Sequence, residues 1–257
     1  MRGSLLSNGA PHTTESMTQL NTSSQAMVDL TRVSKTYPPD VRALDDITLS
    51  ISKGELVYLI GRSGSGKTTL LKLISRIDRP TKGMIEVAGM DITKIQDNRL
   101  HLLRRKIGMA YQDFKLLPDR TVAANVAISM EVAHRKNSFI HKQTKELLDR
   151  LGLSRKTHTL AAELSRGEQQ RVAIARAVAN QPEIILADEP TGNLDSDTTS
   201  RVMDLFHELH KKGTTLLIAT HDENIYKNSS NRIIELRFGR QQATDLPAPI
   251  DTQSIIL

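Results

Sequence analysis

The sequence predicts an α/β fold: a mostly parallel sheet wrapped by helices, with a helical subdomain inserted at about residues 113–180. Three observations carry this. Short apolar runs at 55–60, 183–188 and 214–220 read as buried strands, and helix-period segments lie between them. Strands that alternate with helices imply parallel pairing with crossover helices. One long, mostly helical stretch interrupts the alternation, as an insertion into the α/β core would.

In chain order, residues 1–26 hold 13 Ser, Thr, Asn and Gln and no aromatic residue, and are expected to be a disordered tail. From Val28 the pattern turns β-like through VDLTRV and ALDDITLSI, closed by Lys53-Gly54. ELVYLI (55–60) runs into a glycine-rich turn and then the helical TTLLKLIS. MIEVAG and KIGMAYQ read as strands, the second leaving at Gln112. VAANVAISMEVA and HKQTKELLDRLGL read as helices, followed by a long helix from Ser165 to Asn180. Then come strand 183–188, helix 198–212, strand 214–220 and strand 232–236. Residues 241–257, with two Pro, are expected to be a loose tail.

Composition removes several functions. Apolar residues are 38% of the 257 positions, enough for a core if part of the chain stays outside it. With no Cys there is no disulfide scaffold, thiolate metal site or Cys nucleophile. No apolar run approaches the ~18–20 residues that span a bilayer. Zero Trp, four Tyr and four Phe argue against a base-stacking platform for single strands, and no specific nucleic-acid partner is expected. The net charge of +6 is modest. Its basic clusters, Arg99, Arg104, Arg105, Lys106 and Arg135, Lys136, Lys142, Lys145, suit either solvated helix faces or a membrane- or partner-facing surface.

Gly61-x4-Gly66-Lys67-Thr68 follows a strand and opens a helix, the setting in which this pattern binds phosphates. Arg62, Ser63, Gly64 and Ser65 fill the turn, and the glycines let backbone N–H groups close around phosphate oxygens. The helix starting at Lys67, Thr68 and Thr69 adds its positive end. Lys67 would reach the β- and γ-phosphates of ATP, and the Thr68 hydroxyl would ligate Mg²⁺. A strand ending in Asp188-Glu189 supplies an Asp placed as an outer Mg²⁺ ligand and a Glu placed to orient or deprotonate water.

LSRGEQQRVAIARA (164–177) closely resembles the signature motif of ATP-binding-cassette (ABC) ATPases. On its own, Ser165 with Glu168 is a capping box that opens a helix; it leaves Gly167 and the Gln-Gln-Arg run unexplained. The resemblance spans about residues 27–240. It implies a P-loop NTPase fold of the ABC nucleotide-binding type, with an antiparallel β subdomain and the inserted α-helical subdomain. It implies that Ser165, Arg166, Gly167 and Glu168 face the γ-phosphate held by a second copy, in an ATP-dependent homodimer, with Asp195 reaching across the same interface. It places Tyr37 under the adenine, Gln112 on Mg²⁺ or water, and His221 on the γ-phosphate; Glu189, His221 and Lys67 form the catalytic set. The family's Leu-Ser-Gly-Gly is Leu-Ser-Arg-Gly here. Arg166 must point away from the phosphate or join it, and hydrolysis is expected to survive.

ADEPTGNLD (187–195) resembles the branch that holds lipoprotein-releasing, macrolide-efflux and cell-division ATPases. YQDFKLLPDRTV (111–122) and LLKLISRIDRPTKG (70–83) look most like the cell-division group. That resemblance implies an FtsX-type integral membrane partner, other division-septum proteins, activation of cell-wall hydrolases, and a place at the cytoplasmic face of the bacterial inner membrane. The efflux and lipoprotein-releasing members share every catalytic residue and remain the alternative. Phe114, Leu116 and Leu117 would line a groove for a partner helix or pack internally.

Overall fold

A computed structural model describes residues 25–242. The expected tails lie outside that span, except that strands reach Ala26 and Gln241 where the tails were drawn.

Two sheets organise the chain. The first is antiparallel, in the order β2 (Val41–Ser52), β1 (Ala26–Tyr37), β4 (Lys82–Val87) and β5 (Met90–Asp91). The second contains β3 (Leu56–Ile60), β6 (Ile107–Ala110), β7 (Ile184–Asp188), β8 (Thr215–Thr220), β9 (Arg232–Arg237) and β10 (Arg240–Gln241). Its order is β10-β9-β3-β8-β7-β6, parallel except for the β9–β10 hairpin. The strands that carry the glycine turn and the Asp188-Glu189 pair are thus separated by β8 alone.

Both faces of this sheet are covered, which explains the unbroken apolar runs. Leu56, Tyr58, Ile185, Ala187, Leu216 and Ile218 face one core, shared with the helices of the insertion. Their strand neighbours Val57, Leu59, Ile184, Leu186, Leu217 and Ala219 face a second core, closed by α1 (Lys67–Ile74) and the antiparallel sheet.

The helical stretch comprises α3 (Val122–Val132), α4 (Asn137–Arg150) and α5 (Arg166–Ala179). Asn125 is fully buried at the root of α3; its carboxamide bonds both the N–H and C=O of Leu117 and holds the chain entering the helix. On the other side, α4 is tied to α6 (Ser196–Lys211) by the Arg150–Glu208 ion pair. At its C-terminal end α5 crosses β6 closely: a Cβ on Gly108 would lie 2.1 Å from the Ala177 carbonyl. Gly108→Ala should therefore destabilise the protein by about 1–3 kcal/mol through overpacking, read as a lower midpoint in thermal or urea unfolding.

Four short elements, two helices and the strands β5 and β10, were not legible as such. A helix α2 (Leu100–Lys106) precedes β6, but only Leu103 of it is buried, so its sequence carries no apolar stripe. A short α7 (Glu223–Tyr226) follows β8. Among the described residues, no helix is long and apolar enough to cross a membrane.

Candidate active site

The glycine turn is built by conformations other residues resist. Gly61 has φ +148°, and a Cβ there would lie 2.3 Å from the Leu236 carbonyl. Gly66 caps α1 at φ +107°, with its Cβ direction closed by the Ala43 carbonyl at 2.6 Å. Both strands behind the turn thus press on backbone that only glycine allows. The first-turn amides of α1 lack carbonyl partners, as at any helix start, and point out of this turn.

A cleft of about 540 Å³ opens above it. Arg62 through Thr69 line it, with Val41, Arg42, Ala43, Gln112, Asp188, Glu189 and His221. Four sequence-distant segments therefore converge on the phosphate-binding turn.

Their charges are arranged around Glu189. Its carboxylate lies 3.6 Å from the Lys67 ammonium and 2.9 Å from His221 Nδ1, and accepts the His221 backbone N–H at 3.3 Å. The Lys67 and Glu189 side chains are 8% and 13% exposed, whereas that of His221 is 70% exposed. Lys67 also donates to the Gly61 carbonyl at 2.7 Å. Glu189 itself sits at φ +48°, pinned because its N–H donates to Ala219 and its C=O accepts from Gln170 Nε2 at 3.0 Å. A strained acidic residue fixed on both backbone sides is a functional signature.

Asp188 is 2% exposed, and its Oδ1 has no hydrogen-bond partner. Burial pushes its carboxyl above the usual range, against a hydrogen bond from Thr68 that lowers it; the Glu189 charge raises it further and Lys67 opposes. The buried Ser65 hydroxyl is likewise without a partner. Orphan oxygens at Asp188 and Ser65, beside the Thr68 hydroxyl and a glycine cradle, suit a hydrated divalent cation carried in on a polyphosphate. Among the described residues no cluster of three or more His, Asp or Glu could hold a metal alone, so most of the ligands would be phosphate oxygens and water.

Because the folded carboxyl binds its proton more tightly than the unfolded one, Asp188 costs stability as pH rises from about 4 through its raised folded value. Asp188→Asn should raise the melting temperature of the nucleotide-free protein at pH 7 by about 2–4 °C, the shift that ~1 kcal/mol produces in a domain of this size. The same change should shrink the further rise that Mg-ATP gives. Differential scanning fluorimetry reads both.

The other expected residues lie apart from the cleft. Tyr37 does not line it: its hydroxyl donates to Asp78 at 2.8 Å, and the Lys35 ammonium stands 4.7 Å from its ring centre. Ser165 caps α5, accepting from the Glu168 N–H while the Glu168 carboxylate accepts from the Ser165 N–H. The Arg166 side chain is exposed and makes no hydrogen bond or ion pair among the described residues. A Cβ on Gly167 would meet the Asn193 carbonyl at 3.1 Å. Asp195 caps α6, accepting the Thr198 N–H at 2.8 Å, and that bond holds its carboxyl below the usual range. Phe114 is 7% exposed and Leu116 is half-buried against the core, so of that trio only Leu117 stands out, at 40%.

Two residues here escaped the sequence reading. Gln170 bonds the Glu189 carbonyl and accepts from Asn193 Nδ2 at 3.0 Å, wiring α5 to the end of β7. Arg176, farther along α5, donates to the carbonyls of Phe114 and Lys115 at 2.6 Å each, holding two consecutive left-handed residues just beyond Gln112. The signal for both was a long polar side chain inside an Ala/Val-rich helix.

Known proteins resemble most of the chain. The ABC transporter family profile matches residues 44–192. The cell division ATP-binding protein FtsE of Mycobacterium tuberculosis is 46% identical over 215 residues, 83% of this chain and 94% of that protein. FtsE of Bacillus subtilis is 44% identical over 213 residues, covering 83% and 93%. Among solved structures, a dimeric post-hydrolysis state of the ATP-binding cassette MJ0796, bound to ADP and Pi, superposes with a TM-score of 0.79 at 38% identity, covering 84% of this chain and 98% of that one.

Proposed function

This chain belongs to the ABC transporter family and is an ATPase of that type; from that premise we propose that it is the ATP-hydrolysing subunit of a cell-division complex, closing as a homodimer around ATP to drive an FtsX-type integral membrane partner. The observation that carries the reading is the convergence of the glycine turn, Asp188, Glu189 and His221 on one cleft. The names of the FtsE relatives support the cell-division assignment, and the dimeric cassette structures support pairing of two copies.

In this reading the turn amides and Lys67 hold the triphosphate, Lys67 exchanging the Gly61 carbonyl for phosphate oxygen. Thr68, Asp188 and Gln112 are the side chains that would hold Mg²⁺, which when bound neutralises charge on the β- and γ-phosphates. Glu189 accepts a proton from the attacking water, and His221 and Lys67 steady charge on the departing phosphoryl oxygens. Ser165, Arg166, Gly167, Glu168 and Asp195 lie outside the cleft of their own chain, and a second copy brings them to it. Tyr37, which pairs with the cleft-lining Val41, would flank the base from the edge of the cleft.

Coupling to the membrane falls to a groove of about 380 Å³ lined by Ile77, Arg104, Arg105, Tyr111, Val132 and Arg176 among others. Ile77 and Val132 are 47% and 62% exposed, and Arg176 joins this groove to the loop beyond Gln112. An amphipathic cytoplasmic helix with acidic flanks fits it. Such a subunit sits at the cytoplasmic face of the inner membrane, held by its partner, with Mg²⁺ and ATP as its cofactors and other septum proteins nearby. Affinity purification from membranes tests this. An FtsX-type protein should co-elute, and recovery of an efflux or lipoprotein-releasing permease would overturn the cell-division reading.

A further inference from the structure

Phe238 is the most exposed large apolar side chain among the described residues, at 83%. It occupies the tip of the β9–β10 hairpin at φ +50°, followed by Gly239 at φ +74°. A left-handed backbone suits Gly or Asn there and penalises a bulky aromatic. The chain spends one of its four Phe on a strained, water-exposed turn.

The tip is braced against the active site. Gly239 donates its N–H to the Ser65 carbonyl at 3.1 Å and accepts the Asp45 N–H at 2.8 Å. A Cβ on Gly239 would lie 2.7 Å from the Ala43 carbonyl. Ser65 and Ala43 both line the nucleotide cleft. From Gly239 the chain leads past Asp45, held by Arg240, toward Thr48. Phe238 immediately precedes the glycine whose N–H bonds the cleft-lining Ser65. Val41 lines the cleft, is 58% exposed and pairs in register with Tyr37. The Arg237 guanidinium covers one face of the Phe238 ring, 5.5 Å from its centre.

We propose that Phe238 is a second aromatic contact for the base of the bound nucleotide, stacking through the ring face opposite Arg237. The proposal rests on the cleft being the ATP site and adds a second aromatic residue to Tyr37. Stacking on an aromatic ring tolerates any base, so adenine and guanine would both use it.

The test compares Phe238→Asn and Phe238→Trp in the full chain by isothermal titration with ATP, GTP and inorganic tripolyphosphate, which has no base. Asn fits the left-handed turn, so Phe238→Asn should fold and melt at a temperature no lower than the wild-type chain. It should weaken ATP and GTP about tenfold and leave tripolyphosphate within twofold, and Phe238→Trp should keep wild-type affinity for both nucleotides. Unchanged ATP affinity in Phe238→Asn would overturn the proposal, as would equal weakening of tripolyphosphate, which would make the hairpin a prop for the glycine turn. Both results differ from failure of the ATP site itself, in which the wild-type chain binds neither ATP nor tripolyphosphate.

Discussion

Glu189→Gln should still bind ATP, hydrolyse it about 10²–10⁴-fold more slowly, and accumulate as a dimer with Mg-ATP. The factor is what a positioned general base contributes. The substitution keeps shape: a carboxamide oxygen in the place of Oε2 still accepts the His221 N–H, while the NH2 takes the place of Oε1 beside His221 Nδ1. What it removes is the basic oxygen 3.6 Å from Lys67. Binding energy then goes into closing two chains that cannot reopen by hydrolysis. Phosphate release measures the rate, and gel filtration at micromolar protein measures assembly. Hydrolysis within tenfold of the wild-type rate, or a monomer alone in the presence of Mg-ATP, would remove Glu189 from its role or the pair from the mechanism.

Lys67→Ala should abolish ATP binding and also weaken the nucleotide-free fold. The first effect follows from losing the only ammonium among the side chains that line the cleft. The second follows from Glu189, which would keep a mostly buried charge beside Asp188 with His221 as its remaining partner. Breaking a buried pair from one side costs about 3–5 kcal/mol, and His221 should hold the loss to the lower end. Titration calorimetry and urea unfolding separate the two effects. A variant as stable as wild type would mean that the Lys67–Glu189 contact carries no weight in the free protein.

The local chemistry was legible in the sequence, and the wiring between segments was not. Strands β3, β7 and β8 announced themselves because both faces are buried, leaving apolar runs with Asp and Thr only at their ends. The glycine turn was readable because Gly61 and Gly66 adopt backbone angles that few other residues share. The Ser165–Glu168 capping box depends on neighbours three positions apart. Strand order is a different matter: β3 lies between β8 and β9, pairings that close loops of more than 150 residues and leave no local trace. Phe114 could equally line a groove or pack internally from sequence, and the structure buries it, with its carbonyl held by Arg176 of α5. Phe238-Gly239 was not recognisable as a turn because phenylalanine is a poor residue for one.

One hydrogen bond reaches further than its 3.0 Å suggests. Gln170 lies one turn from Ser165 on the same helix and holds the Glu189 carbonyl. In the head-to-tail pair proposed above, Ser165 would serve the neighbour's nucleotide while Gln170 holds the Glu189 backbone of its own chain. Each helix would then report the state of one reaction centre to the other, and the two would turn over as a coupled unit. Velocity plotted against ATP concentration should be sigmoidal, and Gln170→Ala should flatten it toward a hyperbola.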